Sequence, residues 1–192
     1  MDAGIFGPFT AAEMNRIALA IAQKIADKVL LSLLPFCDRI EVAGSIRRGR
    51  QSVGDIDLVA LPKAGELHAL HERFCRNTSE GQADGEAVKI RTLHVPKVGD
   101  VQIDLYIAAP EKGGLFDTEP GNFGSVLLLR TGSPRHNIRI VQRAKDRGLT
   151  WDMSRGILNA AGKVIASESE EDIYRVLDLE FIPPQNREIP NF

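Results

Sequence analysis

Asp55 and Asp57 stand two residues apart in the apolar run Asp55-Ile-Asp-Leu-Val-Ala-Leu61. A strand alternates its side chains, so this spacing places both carboxylates on one face, within reach of a single ion cluster. Asp104 stands in a second apolar run, Val101-Gln-Ile-Asp-Leu105. An unpaired carboxylate there is costly unless it finds a partner. If the two strands are neighbours, the three carboxylates converge. Converging acids repel one another and attract divalent cations that prefer oxygen ligands. Two such ions, roughly 3.5–4 Å apart, would clamp an in-line phosphoryl displacement. The competing reading of the pair alone is structural, with Asp55 capping a turn and Asp57 paired with an arginine.

The residues just upstream favour the chemical reading. Gly44-Ser-Ile-Arg-Arg-Gly49 precedes the carboxylates, followed by Val53-Gly-Asp-Ile-Asp57. Glycines let backbone approach a phosphate closely, and exposed N–H groups with a hydroxyl can cradle it. Arginine adds a charge-assisted fork to phosphate oxygens. A solvated loop with incidental arginines is the alternative for this stretch on its own. Together with the carboxylates it predicts a site for a phosphate-bearing group and divalent cations.

These residues need elements to hold them. Thr10-Ala-Ala-Glu13 has the capping-box pattern. Behind it Met14, Ile17, Ile21, Ile25 and Val29 recur at helical spacing, which predicts a long amphipathic helix limited by Pro35. Arg39–Ala43 and Asp55–Leu61 read as strands, the second ended by Pro62. Residues 44–54 read as a loop with at most a short helical turn. Residues 66–76 read as a helix, 77–86 as a polar loop, and 87–94 and 100–108 as two further strands. After Pro110 the pattern changes. Residues 122–130 read as a short helix. Ser133-Pro134 opens another, with serine as cap and proline at the first position, running to Gly148. Residues 155–158 and 163–165 flank the turn Asn159-Ala-Ala-Gly162. Ser169–Leu177 reads as a last helix, and the tail as extended. The shift near Pro110–Pro120 suggests a mixed-sheet domain over 1–112, carrying the N-terminal helix, and a smaller α/β subdomain over 113–192. The fold class expected is α+β.

Composition excludes several functions. The chain has 192 residues, 43% of them hydrophobic and 26% charged, as in ordinary globular domains. Cys37 and Cys75 have no zinc-ligand spacing and no disulfide framework, which suits a reducing compartment. The N-terminus lacks a basic segment followed by an apolar run, so no secretory signal is expected. Met14–Leu34 contains Arg16, Lys24, Asp27 and Lys28 and is no membrane span. The expected setting is therefore cytoplasmic or nucleoid-associated, without a membrane, and no oligomer signal marks it as other than a monomer. Net charge is −2, which rules out a uniformly basic coat. Residues 121–163, however, carry 8 basic and 2 acidic side chains, net +6. Arg135, Arg139, Arg143 and Arg147 recur every fourth residue on the predicted helix, forming a stripe that could track nucleic-acid phosphates or simply face solvent. His68, His71, His94 and His136 show no ligand spacing and are expected at surfaces or turns. Trp151 and Phe181 are expected in the core. Glu168 to Asp172 is expected to be a solvated helix start.

Four motifs in order carry a resemblance. Val42-Ala-Gly-Ser-Ile-Arg-Arg-Gly49 followed by Val53-Gly-Asp-Ile-Asp57 resembles the nucleotidyltransferase core of the family X DNA polymerases, the group of DNA polymerase beta. Val101-Gln-Ile-Asp104 is similar to the family's third-carboxylate strand. Leu129-Arg-Thr-Gly-Ser-Pro-Arg-His-Asn137 is similar to its Thr-Gly-Ser turn, and Ile182-Pro-Pro-Gln-Asn-Arg-Glu188 to the tail of bacterial members. The resemblance implies a palm with a mixed or antiparallel sheet and flanking helices, followed by the nucleotide-selecting subdomain. It implies that Asp55 and Asp57 bind both Mg2+ ions, with Mn2+ as the other candidate, and that Asp104 binds the catalytic one and helps activate a primer 3′-hydroxyl. It implies that Gly44, Ser45, Arg48 and Gly54 hold a nucleoside triphosphate, that Thr131-Gly132 turns against the sugar, and that Asn137 touches the incoming base.

The departures shape what is expected. Leu129-Arg130 stand where family members carry two aromatic residues, which leaves ribonucleotide use open. Gln102 stands where the family often has arginine. The stretch before Arg39 is too short for the family's lyase domain, so the resemblance implies a minimal form. The activity expected is DNA-directed DNA synthesis on a primer/template or gapped DNA in short-gap repair. The alternatives are a nucleotidyltransferase acting on an RNA end, a small molecule or a protein, a template-independent terminal transferase, and a non-catalytic DNA-end-binding module.

Overall fold

The computed structural model describes residues 16–76, 78–85, 87–114 and 117–188. The expected capping box Thr10–Glu13 lies outside them. In chain order the elements are β1 (Ile17–Ala18), α1 (Leu19–Leu33), β2 (Cys37–Val42), α2 (Gly44–Arg47), β3 (Ser52–Val53), β4 (Asp55–Pro62), α3 (Leu67–Cys75), β5 (Ser79–Asp84), β6 (Val88–Val95) and β7 (Gly99–Ile107). They continue with β8 (Lys112–Gly114), β9 (Asp117–Glu119), α4 (Phe123–Thr131), α5 (Pro134–Asp146), β10 (Thr150–Asp152), β11 (Gly156–Leu158), β12 (Val164–Ala166) and α6 (Glu170–Val176). No described helix is long and apolar enough to cross a membrane.

The main sheet is mixed, in the order β2-β4-β7-β6-β5. Its centre is the parallel pair β4/β7, and the remaining pairings are antiparallel. The period of two sorts the two central strands. Ile56, Leu58 and Ala60 of β4 and Val101, Ile103 and Leu105 of β7 join Ala22, Ile25, Ala26 and Leu33 of α1 and Leu70 and Phe74 of α3 in one buried cluster. The alternate positions face the other way. Val59 and Tyr106 there meet Phe123, Val126 and Leu127 of α4. Asp55, Asp57 and Asp104 occupy the same alternation, on the face that the apolar cluster leaves free.

A second core lies in the C-terminal half. Leu128 of α4, Ile140 and Ala144 of α5, Ile157, Ala166, and Ile173 and Tyr174 of α6 form it. Ser133 caps α5, accepting from the His136 N–H, and Ser169 caps α6, accepting from the Asp172 N–H. A Cβ built on Gly124 would lie 2.4 Å from the Ser169 backbone, so glycine there lets α4 touch the start of α6. A three-stranded antiparallel sheet, β10-β11-β12, completes this half.

Several expectations are corrected. The first helix starts at Leu19, because Ile17 and Ala18 are drawn out to pair with Val53 and Ser52. Arg16 anchors that pairing, donating from Nε to Ser52 Oγ at 2.9 Å and from Nη2 to Ser52 O at 2.8 Å. Most of the loop expected over 77–86 is the edge strand β5, paired to β6. Edge pairing needs backbone N–H and C=O groups rather than an apolar pattern, so polar sequence does not betray it. Strands β8, β9 and β10 have three residues each, too few to show a period. The tail expected to be extended carries a 3₁₀ turn over Pro184–Asn186.

Candidate active site

Parallel pairing sets Asp57 directly across from Asp104, with Asp55 across from Gln102. One oxygen from each of Asp55, Asp57 and Asp104 lies within 4.8 Å of the others, which is close enough to share a cation. Both oxygens of Asp104 already accept a hydrogen bond. Gln102 Nε2 donates to Oδ1 at 2.9 Å, and the Tyr106 hydroxyl donates to Oδ2 at 3.0 Å. Gln102, Asp104 and Tyr106 alternate on one strand, so all three share a face. The Arg130 guanidinium, from the end of α4, lies 3.9 Å from the centroid of the Tyr106 ring.

The carboxylates are short of positive charge. Burial, followed by the charges of Asp55 and Asp104, pushes the Asp57 carboxyl up to about 7, against the weaker pull of Arg130 and Arg48. Burial also raises Asp104, although its hydrogen bonds from Gln102 and Tyr106 oppose this. Burial and the neighbouring Asp104 and Asp57 keep the Tyr106 hydroxyl protonated well beyond its ordinary range, so it acts as a donor. Three converging hard-oxygen donors that repel one another fit a hard divalent cation such as Mg2+ or Mn2+.

The glycine-rich loop lies against this cluster. The Ala43 N–H donates to the Asp57 carbonyl at 2.8 Å, and α2 begins at once with Gly44 at φ +56°. A Cβ on Gly44 would sit 1.8 Å from Asp57 Oδ2, so only glycine permits this approach. Ser45 Oγ is buried and has no hydrogen-bond partner among the described residues. An orphaned hydroxyl at the start of a phosphate-type loop suits a phosphate oxygen. Around Gly54 a Cβ would meet nothing within 4 Å, leaving space beside Asp55.

Arg47 and Arg48 point away from one another in role. Arg48 donates from Nε to Glu188 at 2.6 Å and from Nη1 to the Thr131 carbonyl. Arg47 donates to the Thr131 hydroxyl at 2.9 Å and to both oxygens of Glu170, at 2.9 and 2.8 Å. Arg187, with no exposed surface, donates to the same Glu170 at 2.6 Å. Burial would raise the Glu170 carboxyl, but hydrogen bonds from Arg47 and then Arg187 prevail and hold it below its ordinary value. Glu170 is thus a buried ion, not the solvated helix start expected from its acidic neighbours. Nothing in the local sequence signals this, because both of its partners are remote in the chain.

Thr131 and Gly132 form the junction between α4 and α5, with a cis peptide bond between Gly132 and Ser133. Asn137, in the first turn of α5, donates to the Leu129 carbonyl at 2.9 Å. His136 is 1% exposed, and its Nε2 lies 2.5 Å from the Tyr174 hydroxyl, so it belongs to the core rather than to a surface. Phe181, expected inside, is 39% exposed and meets Tyr174 edge-on.

The arginine stripe divides. Arg135 and Arg139 are exposed on α5 and make no ion pair among the described residues. Arg143 donates from Nε to the Leu177 carbonyl at 2.9 Å and pairs with Asp178, and Arg147, which follows α5, also pairs with Asp178.

Comparison with known proteins adds two findings. Residues 126–188 match the family model described as DNA polymerase beta thumb. The human protein named DNA-directed DNA/RNA polymerase mu is 27% identical over 207 residues, an alignment that covers 86% of this chain and 39% of that protein.

Proposed function

We propose that this family X polymerase-like chain is a DNA polymerase that extends a primer 3′ end by two-metal phosphoryl transfer, acting on short gaps. The observation that carries the reading is the convergence of Asp55, Asp57 and Asp104 beside the Gly44 loop with its unpartnered Ser45 hydroxyl. The match at residues 126–188 and the likeness to the human polymerase support it.

In this reading the new bond joins the primer 3′-oxygen to the α-phosphorus of a nucleoside triphosphate, and the bond to the bridging oxygen of pyrophosphate breaks. Bound Mg2+ or Mn2+ would supply charge to the phosphoryl oxygens and acidify the attacking hydroxyl. Asp55 and Asp57 would hold both ions, and Asp104 would hold the catalytic one and help activate the 3′-hydroxyl. Ser45 and the backbone of Gly44 and Gly54 hold phosphate oxygens, and Arg48, seated between Glu188 and the Thr131 carbonyl, adds positive charge to them. Thr131-Gly132 backs the sugar, and Asn137 reaches the base. Of the stripe Arg135, Arg139, Arg143 and Arg147, the first two meet DNA phosphates, while Asp178 holds the other two. Positioning and electrostatics supply the rate, since the protein forms no covalent bond.

Ribonucleotide use is a second reading. It is favoured by Leu129-Arg130 in place of an aromatic pair and by the human relative's printed name, which covers both DNA and RNA.

Labelled primer extension tests both readings, with and without template and with each nucleotide type. Asp104→Ala should abolish extension while leaving the fold intact. Extension by that variant at the wild-type rate would refute the assignment. A labelled non-DNA acceptor used in preference would point to another nucleotidyltransferase.

A further inference from the structure

The third carboxylate is more heavily engaged than the other two. Both of its oxygens accept a hydrogen bond, so a cation at Asp104 meets a donor whichever oxygen it takes. Gln102 comes from the same strand and approaches from one side. Tyr106 is held differently. Tyr106 is 8% exposed, and its ring is covered by Arg130 from the end of α4, remote in the chain. Arg130 is itself badly accommodated, since its Nε is buried without a hydrogen-bond partner among the described residues. A guanidinium that forgoes a hydrogen bond to lie on a ring is seated by that ring and by the nearby acids.

We propose that Tyr106 and Arg130 form a latch on the third carboxylate, holding Asp104 in a state of low affinity for divalent cations until the Tyr106 hydroxyl turns away. The inference rests on the metal-binding reading of the three carboxylates. A hydroxyl that donates to Asp104 withdraws the charge a cation would use, and the cation repels the hydroxyl proton in turn. Arg130 adds a positive charge behind the ring and blocks the ring's departure. Its residue immediately precedes Thr131-Gly132, whose carbonyl and hydroxyl are tied to Arg48 and Arg47. The seat of the clamp is therefore joined to the phosphate-type loop. Coupling of this kind is reciprocal, so a cation on Asp104 loosens Arg130 as much as Arg130 weakens the cation.

Tyr106→Phe removes only the hydroxyl and leaves the ring under Arg130. Mn2+ titrations of the full chain without nucleotide, read by electron paramagnetic resonance of the free ion, separate the outcomes. Wild type should bind Mn2+ and Asp104→Ala should bind it less well. Tyr106→Phe should bind about tenfold more tightly, the scale of one hydrogen bond to a charged group. Arg130→Gln, which keeps the hydroxyl but removes the clamp and its charge, should also tighten binding, and it decides the matter if Tyr106→Phe does not fold. Equal or weaker binding by these variants overturns the latch and leaves the metal site standing. If wild type binds no Mn2+, or binds it as Asp104→Ala does, the metal reading falls and the latch falls with it.

Discussion

Gly44 shows how one absent side chain sets the chemistry of the site. Its φ of +56° and the 1.8 Å that would separate a Cβ from Asp57 Oδ2 leave room for glycine alone. Alanine must shift either α2 or the Asp57 carboxylate. We expect Gly44→Ala to cost about 1–3 kcal/mol in stability and to weaken Mn2+ binding at least tenfold. Chemical denaturation and the Mn2+ titration measure the two effects. Binding unchanged from wild type would show that Asp57 is not held by this contact. The glycine was legible in the sequence as a phosphate-loop residue. Its second use, as clearance for a carboxylate thirteen positions on, was not.

Elements decide which charges are free to act. The every-fourth-residue arginines of α5 look equivalent in sequence, but the packing of α6 against α5 divides them. Leu177 and Asp178, just past α6, present a carbonyl and a carboxylate to Arg143, while Arg139 faces solvent. If α5 meets DNA, Arg139→Ala should lower the slope of log affinity against log salt by about 0.9, the value of one phosphate contact. Arg143→Ala should leave that slope unchanged and lower the melting temperature instead. Fluorescence anisotropy on gapped DNA over a salt series, with thermal melts alongside, distinguishes them. Equal slope changes for both arginines would show that Asp178 does not withhold Arg143.

At the scale of the whole molecule, a buried ionic cluster ties the two halves together. Arg47 from the sheet-bearing half and Arg187 from the tail share Glu170, and His136 is buried nearby against Tyr174. Both titratable groups lose stability in acid. Glu170 has a carboxyl held low in the folded chain, so its contribution is present above its ordinary value and lost as pH falls through the folded one. Burial, then the charge of Arg187, lowers His136 to about 4 from an ordinary 6.5. The unfolded chain therefore takes up a proton first, and the folded state weakens as pH falls from 6.5 to about 4. For His136 alone the loss is on the order of 3 kcal/mol. Urea denaturation between pH 7.5 and 4 measures it. His136→Gln should flatten the upper part of the curve, between pH 6.5 and 5, and an unchanged curve there would show that the histidine is not the group responsible.

The sequence by itself determined the alternation of β4 and β7, the carboxylates on one face of each, the glycine-rich loop before them, and the serine caps of α5 and α6. These follow from spacing of two or from contacts within a turn, which neighbouring residues decide among themselves. Only the tertiary structure decided that β4 and β7 lie side by side in register, so that Asp57 faces Asp104. It alone decided that Tyr106 donates to the third carboxylate with Arg130 lying on its ring, that β5 forms from polar sequence, and that Glu170 and His136 are buried. Each of these depends on partners far apart in the chain, and pairing energy between remote residues leaves no periodic trace in either segment.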